Sequence, residues 1–375
     1  MKVAFLLPNF FFIGAQRAAA SALREIDRAK ISPFVFVIDP VGSMQDELPP
    51  DIEVCKLPKG GVFSMIPFFR IFTWPFRLRK LVEQHSIDCI VSICPQTNFT
   101  LVLYKIFFNS APKMIGEEHQ HLSNALKNDP NDFKCPWKFL YYFSLKKYYL
   151  LDKLRCVSHS AALDFERVWS VPKNTIATVY PAFDLERIKK RSHGVVANNA
   201  IPVICSVGRL TSQKDFSLLI RAFSMVRKVM PARLRIAGTG PEKEMLIRLI
   251  HQLKLQRDVE LLGFIEYAEE LIAGSDLFVM SSIWEGFPAT LVEAMVLETP
   301  VVSVNCESGP AELIQDGVNG ALIEARSPEM IAEKIIFLLQ NPEICSAYSG
   351  AAKKTVQQYS LKASVSALEQ LILGV

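Results

Sequence analysis

No window of 18 residues in this sequence is apolar and free of charge, and the most hydrophobic stretch, Val62 to Phe76, is cut by Arg70 and by Pro67 and Pro75. A transmembrane helix is therefore not expected. The opening run Met1 to Pro8 is too short for a signal peptide and reads as a first strand. The eight cysteines, at 55, 89, 94, 135, 156, 205, 306 and 345, form no C-x-x-C pair. Several sit in strand-like runs such as Asp88 to Cys94, a placement that suits buried free thiols in a reducing compartment. There is no Asp-x-Asp and no tight His/Cys cluster, so no metal is expected to serve the chemistry. Short repeats and low-complexity segments are absent as well. The formal net charge is only +4, which argues against a nucleic-acid binder.

What is present is apolar material. Half of the 375 residues (50%) are hydrophobic, enough for large cores, and the length suits two or three domains at roughly 150 residues each. The charge is uneven. Residues 1–183 hold 22 Lys+Arg against 16 Asp+Glu, whereas residues 184–375 hold 20 against 22, so the front half suits a more anionic partner.

Short β-branched and aromatic runs alternate with helical patterns along the chain. The strand candidates are 3–8, 34–39, 52–57, 88–94, 112–117, 153–158 and 175–180, then 202–208, 233–238, 259–264, 277–282, 300–305 and 320–323. Several are apolar on both faces, as parallel strands covered by helices must be. Between them, segments such as 215–229 carry Leu218, Leu219, Ala222, Phe223 and Val226 at helical spacing. The expected fold class is α/β, with two Rossmann-like, doubly wound domains facing each other across a cleft. The domains are read as 1–183 and 201–355. A polar linker at 184–200 separates them, and a C-terminal helix, 356–375, is open to crossing back to the first domain. Ligands in such sheets bind outside the carboxyl ends of the strands.

Three segments at such ends carry chemistry. In Met280 to Met295 a buried strand ends near Ser282, a Gly286-Phe287-Pro288 turn follows, and a helix starts near Pro288. The free amides of that helix start form an anion site, with Glu285 just before the helix and Glu293 inside it. In Val207 to Phe216, Arg209 offers a planar fork and Lys214 a point charge, both suited to a diphosphate, and Asp215 is placed to cap the next helix. In Ile236 to Lys243, Gly238 and Gly240 follow a strand. Lys243 stands where a dinucleotide fingerprint needs its third glycine, so a tight turn with close backbone approach to a ligand is the better reading.

Taken in order, these pieces resemble a retaining glycosyltransferase of the GT-B group often called family 4, or glycosyl transferases group 1. The matching residues are Gly208-Arg209-Leu210 with Lys214, then Gly238-Thr239-Gly240-Pro241, then Glu285-Gly286-Phe287 with Glu293 eight positions on. Ser308 to Glu312 and Asp316 to Gly320 add support. The resemblance implies that Arg209 and Lys214 hold the nucleotide diphosphate and stabilise charge on the leaving group. It implies Glu293 at the ribose hydroxyls and Glu285 at the donor sugar. The amides around Ala289, Thr290 and Leu291 then meet the phosphates, and Gly286 and Phe287 belong to the donor-binding set. In the front half, Glu117-Glu118-His119 resembles the family's Glu-His, with His119 at the donor sugar. Ile13-Gly14-Ala15-Gln16-Arg17 resembles its glycine-rich acceptor loop, although Ile13 replaces the first glycine and Gln16 the usual glutamate. Gly14 still permits close backbone approach and is counted with the donor-binding set.

The implied function is transfer of a hexose or N-acetylhexosamine from a nucleoside diphosphate sugar, UDP by preference, to a lipid-linked or polysaccharide acceptor in bacterial cell-surface glycan assembly. No cofactor beyond the donor is implied. The alternatives on the same fold are a nucleotide-sugar epimerase and a non-catalytic sugar-nucleotide or glycan-binding protein. From Val54 to Val82 no acidic residue occurs, while Lys56, Lys59, Arg70, Arg77, Arg79 and Lys80 stand among Phe63, Phe68, Phe69, Phe72, Trp74 and Phe76. Tyr141 to Tyr149 is a second basic aromatic stretch. Both suit an anionic membrane surface, so the expected setting is cytoplasmic and peripheral on the cytoplasmic face of the inner membrane.

Overall fold

A computed structural model describes residues 1–11, 14–57, 67–128 and 142–375. Two compact units emerge, one built on Met1–Leu126, Pro130–Phe183 and Tyr359–Val375, the other on Asp184–Gln358 with the short segment Lys127–Asp129.

The first unit holds seven strands: β1 (Lys2–Leu7), β2 (Ser32–Val37), β3 (Glu53–Lys56), β4 (Cys89–Ser92), β5 (Lys113–Glu118), β6 (Lys153–Cys156) and β7 (Ile176–Thr178). Their order is β3-β2-β1-β4-β5-β6-β7, and every neighbouring pair is parallel. The alternation of side chains divides β1 between two cores. Ala4 and Leu6 face one cluster with Ile90, Met114 and Leu154, while Val3, Phe5 and Leu7 face another with Val91 and Ile115. Helices α1 (Gly14–Glu25), α2 (Pro67–His85), α3 (Pro95–Phe107), α4 (Leu122–Asn128) and α5 (His159–Arg167) lie between the strands in sequence.

The second unit holds β8 (Val203–Val207), β9 (Arg233–Ala237), β10 (Val259–Gly263), β11 (Leu277–Met280), β12 (Val301–Val304) and β13 (Ala321–Ile323), all parallel in the order β10-β9-β8-β11-β12-β13. Its helices are α6 (Leu185–Arg191), α7 (Phe216–Val229), α8 (Lys243–Gln252), α9 (Glu269–Ala273), α10 (Ala289–Val296), α11 (Pro310–Leu313), α12 (Pro328–Gln340) and α13 (Pro342–Thr355). The apolar stripe of α7, from Leu219 to Val226, fills the core with Ile204, Leu234 and Val279.

Each expected strand is found with its ends moved by a few residues. The polar segment 184–200 is different. It contains α6, capped by Asp184, whose Oδ1 accepts from Arg187 N at 2.9 Å. Leu185 and Ile188 are buried and α6 packs on α9 and α10, so this part of the expected linker is a helix of the second unit. Its two apolar residues, three apart, are hidden in the sequence by the charges around them. At the other end of the chain, α14 (Leu361–Leu373) lies on α1. Val365, Leu368 and Ile372 join the first unit's core, and Glu369 Oε1 accepts from Asp27 N at 2.7 Å.

In each sheet the winding reverses between two adjacent strands, β1 and β4 in the first, β8 and β11 in the second. At such a switch point the outgoing loops diverge and leave a crevice at the strands' carboxyl ends. The sequence motifs map onto the loops that leave these ends. Gly14 opens the helix after β1, Arg209 and Lys214 follow β8, and Glu285 follows β11. Ile13 lies outside the described residues.

Candidate functional site

The second unit brings two loops together. One runs from Gly208 to Asp215 after β8, the other from Ser281 to Pro288 after β11. Ile283 N donates to Gln213 O at 2.7 Å, and Gln213 Nε2 donates to Trp284 O at 3.0 Å. Ser281 Oγ donates to Lys214 O at 2.8 Å and lies 3.0 Å from Asp215 O. These bonds fix the backbone of Lys214, so its side chain has a defined origin. Lys214 Nζ reaches Glu285 Oε1 at 2.5 Å, with both side chains largely buried. Ser282 Oγ donates to the same carboxylate oxygen at 2.6 Å. Glu285 is therefore half of a buried ion pair. Burial and the Glu285 charge push the nearby Cys306 thiol up to about 12, which keeps it inert.

Asp215 caps α7 as expected, its Oδ1 accepting from Leu218 N at 3.2 Å in a left-handed backbone conformation with φ 42°. Its other oxygen pairs with Arg326 Nη2. Arg326 Nη1 donates in turn to Ser282 O at 3.0 Å. Arg326 thus clamps the two loops from a third direction, and no motif in the sequence signals it. Arg209 is exposed and donates to Gln213 Oε1 at 3.1 Å.

Gly238 and Gly240 lie against the loop that follows β8. A Cβ on Gly238, which has φ +141°, would collide with Gly208 O, and one on Gly240 would collide with Leu210 O. Leu210 N donates to Thr239 O at 2.9 Å. The glycines admit the neighbouring Arg209 loop at close backbone distance.

Helix α10 starts at Ala289 with Pro288 as its cap residue and no capping side chain. Leu291 N already donates to Pro288 O at 3.0 Å, which leaves the first amides, at Ala289 and Thr290, as the end group that an anion would meet. Ser308 Oγ donates to Gly286 O at 3.0 Å and holds the turn, while Phe287 is half-buried. Glu293 lies one turn into α10 and is half-buried.

In the first unit, Glu117 and Glu118 end β5 and point to opposite faces. Burial would raise the Glu117 carboxyl, but the Arg155 guanidinium and His119 outweigh it and hold it at about 2. Arg155 Nη1 lies 2.5 Å from Glu117 Oε1, and its other nitrogens donate to Val179 O at 3.1 Å and Tyr180 O at 3.2 Å. Glu117 Oε2 in turn lies 3.3 Å from His119 Nε2. An Arg155–Glu117–His119 chain thus orients the imidazole, and sequence reading identified only its last two members. Glu118 accepts from Tyr148 Oη at 2.6 Å and from Asn98 Nδ2 at 2.9 Å.

The basic aromatic stretch separates on folding. Arg77 is buried and donates to Leu57 O at 3.1 Å, and Arg79 pairs with Glu83 at 2.6 Å. Phe72 and Trp74 pack against Phe99 and its neighbours. Lys80 is exposed, as is Phe76, whose ring stacks on that of exposed Phe107 at 5.4 Å. Lys59 and Phe63 lie outside the described residues, and so do the side chains of Phe68, Phe69 and Arg70. In the second stretch Tyr141 lies outside them, Tyr148 is buried, and Phe143 and Tyr149 are exposed. No helix among the described residues is long and apolar enough to cross a membrane.

Among the described residues one group of metal-competent side chains converges, Glu53, Cys55 and His85, on β3 and α2. The sequence shows no tight His/Cys cluster because the grouping is spatial. The three residues span a wide sequence interval and meet only across the sheet edge.

Residues 189–355 match the family model of glycosyl transferases group 1, and residues 13–187 match that of glycosyltransferase family 4. The chain is 26% identical over 335 residues to the N-acetylgalactosamine-N,N'-diacetylbacillosaminyl-diphospho-undecaprenol 4-alpha-N-acetylgalactosaminyltransferase of Campylobacter jejuni, covering 88% of this chain and 90% of that protein. It is 28% identical to the poly(ribitol-phosphate) alpha-N-acetylglucosaminyltransferase of Staphylococcus aureus over 48% of this chain and 38% of that one. The fold superposes on Anabaena Alr3699/HepE in complex with UDP, with a TM-score of 0.77, 20% identity and all of both chains covered. The chain belongs to the GT-B glycosyltransferases of the group 1, family 4 type.

Proposed function

We propose that this glycosyltransferase moves a hexose or N-acetylhexosamine, with retention, from a UDP-sugar to a lipid-linked or polysaccharide acceptor in bacterial surface glycan assembly. The observation that carries the reading is the buried Lys214–Glu285 pair beside the open start of α10, at the switch point of the second sheet. An anionic diphosphate at that helix start gains the Ala289 and Thr290 amides, the fork of Arg209 and the remaining N–H donors of Lys214. Glu293 meets the ribose hydroxyls and Glu285 the donor sugar. Charge developing on the leaving phosphate oxygen is met by Arg209 and Lys214, so the step needs no metal. That oxygen takes the acceptor's proton on the face from which it departs, and the sugar bond forms on the same face. His119, held by Glu117, is assigned to the sugar. The Campylobacter relative's named substrate is a diphospho-undecaprenol lipid, the staphylococcal one's a poly(ribitol-phosphate), and the Anabaena structure holds UDP. Each supports the corresponding part of the reading.

A panel of nucleotide sugars screened by thermal shift, followed by hydrolysis of the best binder, tests the donor. A UDP-sugar should raise the melting temperature most. Glu293→Ala should weaken that binding by about 1–2 kcal/mol through lost ribose hydrogen bonds. An unchanged dissociation constant in Glu293→Ala removes the ribose assignment.

The acceptor reading places the first unit at the cytoplasmic leaflet through the exposed Phe76–Phe107 pair with Lys80 beside it on α2. Wild type should sediment with anionic vesicles and Phe76→Ser/Phe107→Ser should not. Equal binding by the two proteins, negligible or otherwise, ends this part of the proposal.

A further inference from the structure

β3 is the edge strand of the first sheet, and its register on β2 sets Glu53 opposite Phe34 and Cys55 opposite Phe36. The two-residue period puts Glu53 and Cys55 on the same face. His85 is the last residue of α2. Its ring packs over Phe34 and Phe36 at 5.4 and 6.0 Å between centroids, which brings it above the two β3 side chains. Its backbone is held as well, because His85 O accepts from Lys2 Nζ at 3.0 Å.

The three donor groups converge as a set. Cys55 Sγ lies 3.6 Å from His85 Nε2 and 3.6 Å from Glu53 Oε1, and His85 Nδ1 lies 3.7 Å from the same carboxylate oxygen. A tetrahedral zinc ion with Zn–S near 2.3 Å and Zn–N or Zn–O of about 2.0–2.2 Å spaces its ligand atoms about 3.3–3.7 Å apart. The two separations from Cys55 Sγ match that spacing; the carboxylate contact is to the other ring nitrogen, Nδ1, and with one ligand atom taken from each residue the three lie within 4.8 Å of one another. The arrangement also has a hydrogen-bonding explanation, with the thiol shared between the carboxylate and the imidazole. That explanation accounts for the contacts one by one and does not require a ligand atom from each of the three residues to converge within 4.8 Å.

We propose that Glu53, Cys55 and His85 form a divalent transition-metal site, with zinc as the favoured ion and water as the fourth ligand. A thiolate and a carboxylate neutralise the ion's two charges. A sulfur and an imidazole nitrogen select zinc over magnesium or calcium, which prefer all-oxygen shells. The His85 side chain is 13% exposed and that of Glu53 is 58% exposed, so two ligands are on well-packed elements while the third opens to solvent and gives an entry path. The bound ion clips the sheet's outermost strand to the far end of α2, and so joins both ends of the connection that carries the basic aromatic stretch. Its role is structural, and it is independent of the glycosyl-transfer reading.

The test uses the full chain, stripped with chelator and titrated with Zn²⁺ and, separately, with Co²⁺. One equivalent of zinc should raise the melting temperature. Cobalt should produce thiolate-to-metal charge-transfer absorption with the visible bands of a tetrahedral ion. Cys55→Ser should abolish the charge-transfer band. Glu53→Gln, at an exposed position where folding is not at issue, should lower zinc affinity by at least the roughly tenfold to hundredfold that outer-sphere changes cost. A charge-transfer band that survives Cys55→Ser places the metal on another cysteine and overturns the proposal. So does a wild-type chain whose melting temperature and spectrum ignore both metals, or a Glu53→Gln variant with unchanged zinc affinity.

Discussion

Lys214→Ala is expected to lower turnover about 100- to 1000-fold, the range seen when one preorganised donor to a developing anion is removed. Donor affinity should fall less, because the strongest demand on Lys214 arises as the phosphate oxygen gains charge. The same substitution leaves the Glu285 carboxylate buried without its cation. Removing one partner of a buried pair costs about 3–5 kcal/mol of stability. A drop in activity alone would therefore not separate chemistry from unfolding. The double variant Lys214→Ala/Glu285→Gln does separate them. It removes both charges, and the amide oxygen can still accept from Ser282 Oγ, whose bond to Glu285 is 2.6 Å. Stability should recover in large part while turnover stays low, and the coupling in the mutant cycle measures the pair. If Lys214→Ala is folded and turns over donor like wild type, the leaving-group assignment is lost. If the double variant regains both stability and turnover, the pair is structural only.

The strands of both sheets were legible because parallel strands between helix layers must be apolar on both faces, and runs such as Val203 to Val207 show this without tertiary information. Local chemistry at strand ends was legible for a related reason: a cap, a turn and a helix start are contiguous in the chain. The Asp215 cap and the strand-end positions of Lys214 and Glu285 are of this kind. What was not legible joins distant segments. Arg326 clamps Asp215 and the Ser282 carbonyl from a loop 111 residues away from the former, and an isolated arginine in a loop carries no pattern. Arg155 holds Glu117 from the neighbouring strand. The glycines at 238 and 240 announce close approach, and the fold sets the backbone of Gly208 and Leu210 against them, a pairing of two loops that the sequence does not show. Arg77 misled in the opposite direction. In sequence it belongs to a basic stretch, yet in the fold its side chain is buried and its guanidinium donates to a backbone carbonyl.

Glu118 gives the second large effect, with a sign that surface intuition would reverse. Burial raises its carboxyl from the ordinary 4.5 to about 7, against the opposing hydrogen bonds from Tyr148 and Asn98. Because the folded-state value lies above the unfolded one, the folded chain holds a proton between pH 4.5 and 7 that the unfolded chain has released. The stabilising contribution is complete below the unfolded value and is lost as pH rises through the folded one. A difference of this size corresponds to about 3 kcal/mol. Glu118→Gln keeps a carbonyl oxygen for both donors and removes the titration. The variant should therefore be more stable than wild type at pH 8 by up to about 3 kcal/mol, and close to wild type at pH 5. Glu117, one residue earlier, runs the other way. It is held at about 2 by Arg155 and His119 despite burial, so its contribution is present above the unfolded 4.5 and falls away as the medium is acidified. Glu117→Gln should accordingly destabilise at neutral pH and matter progressively less toward pH 2. Denaturant midpoints at pH 5 and pH 8 for wild type and Glu118→Gln decide the matter, since every other titrating group is common to the two proteins. A stability difference that does not change between the two pH values means that Glu118 is charged throughout. The buried Asn98–Tyr148 face of β5 would then hold a carboxylate, and the opposed titration of these adjacent glutamates would not exist.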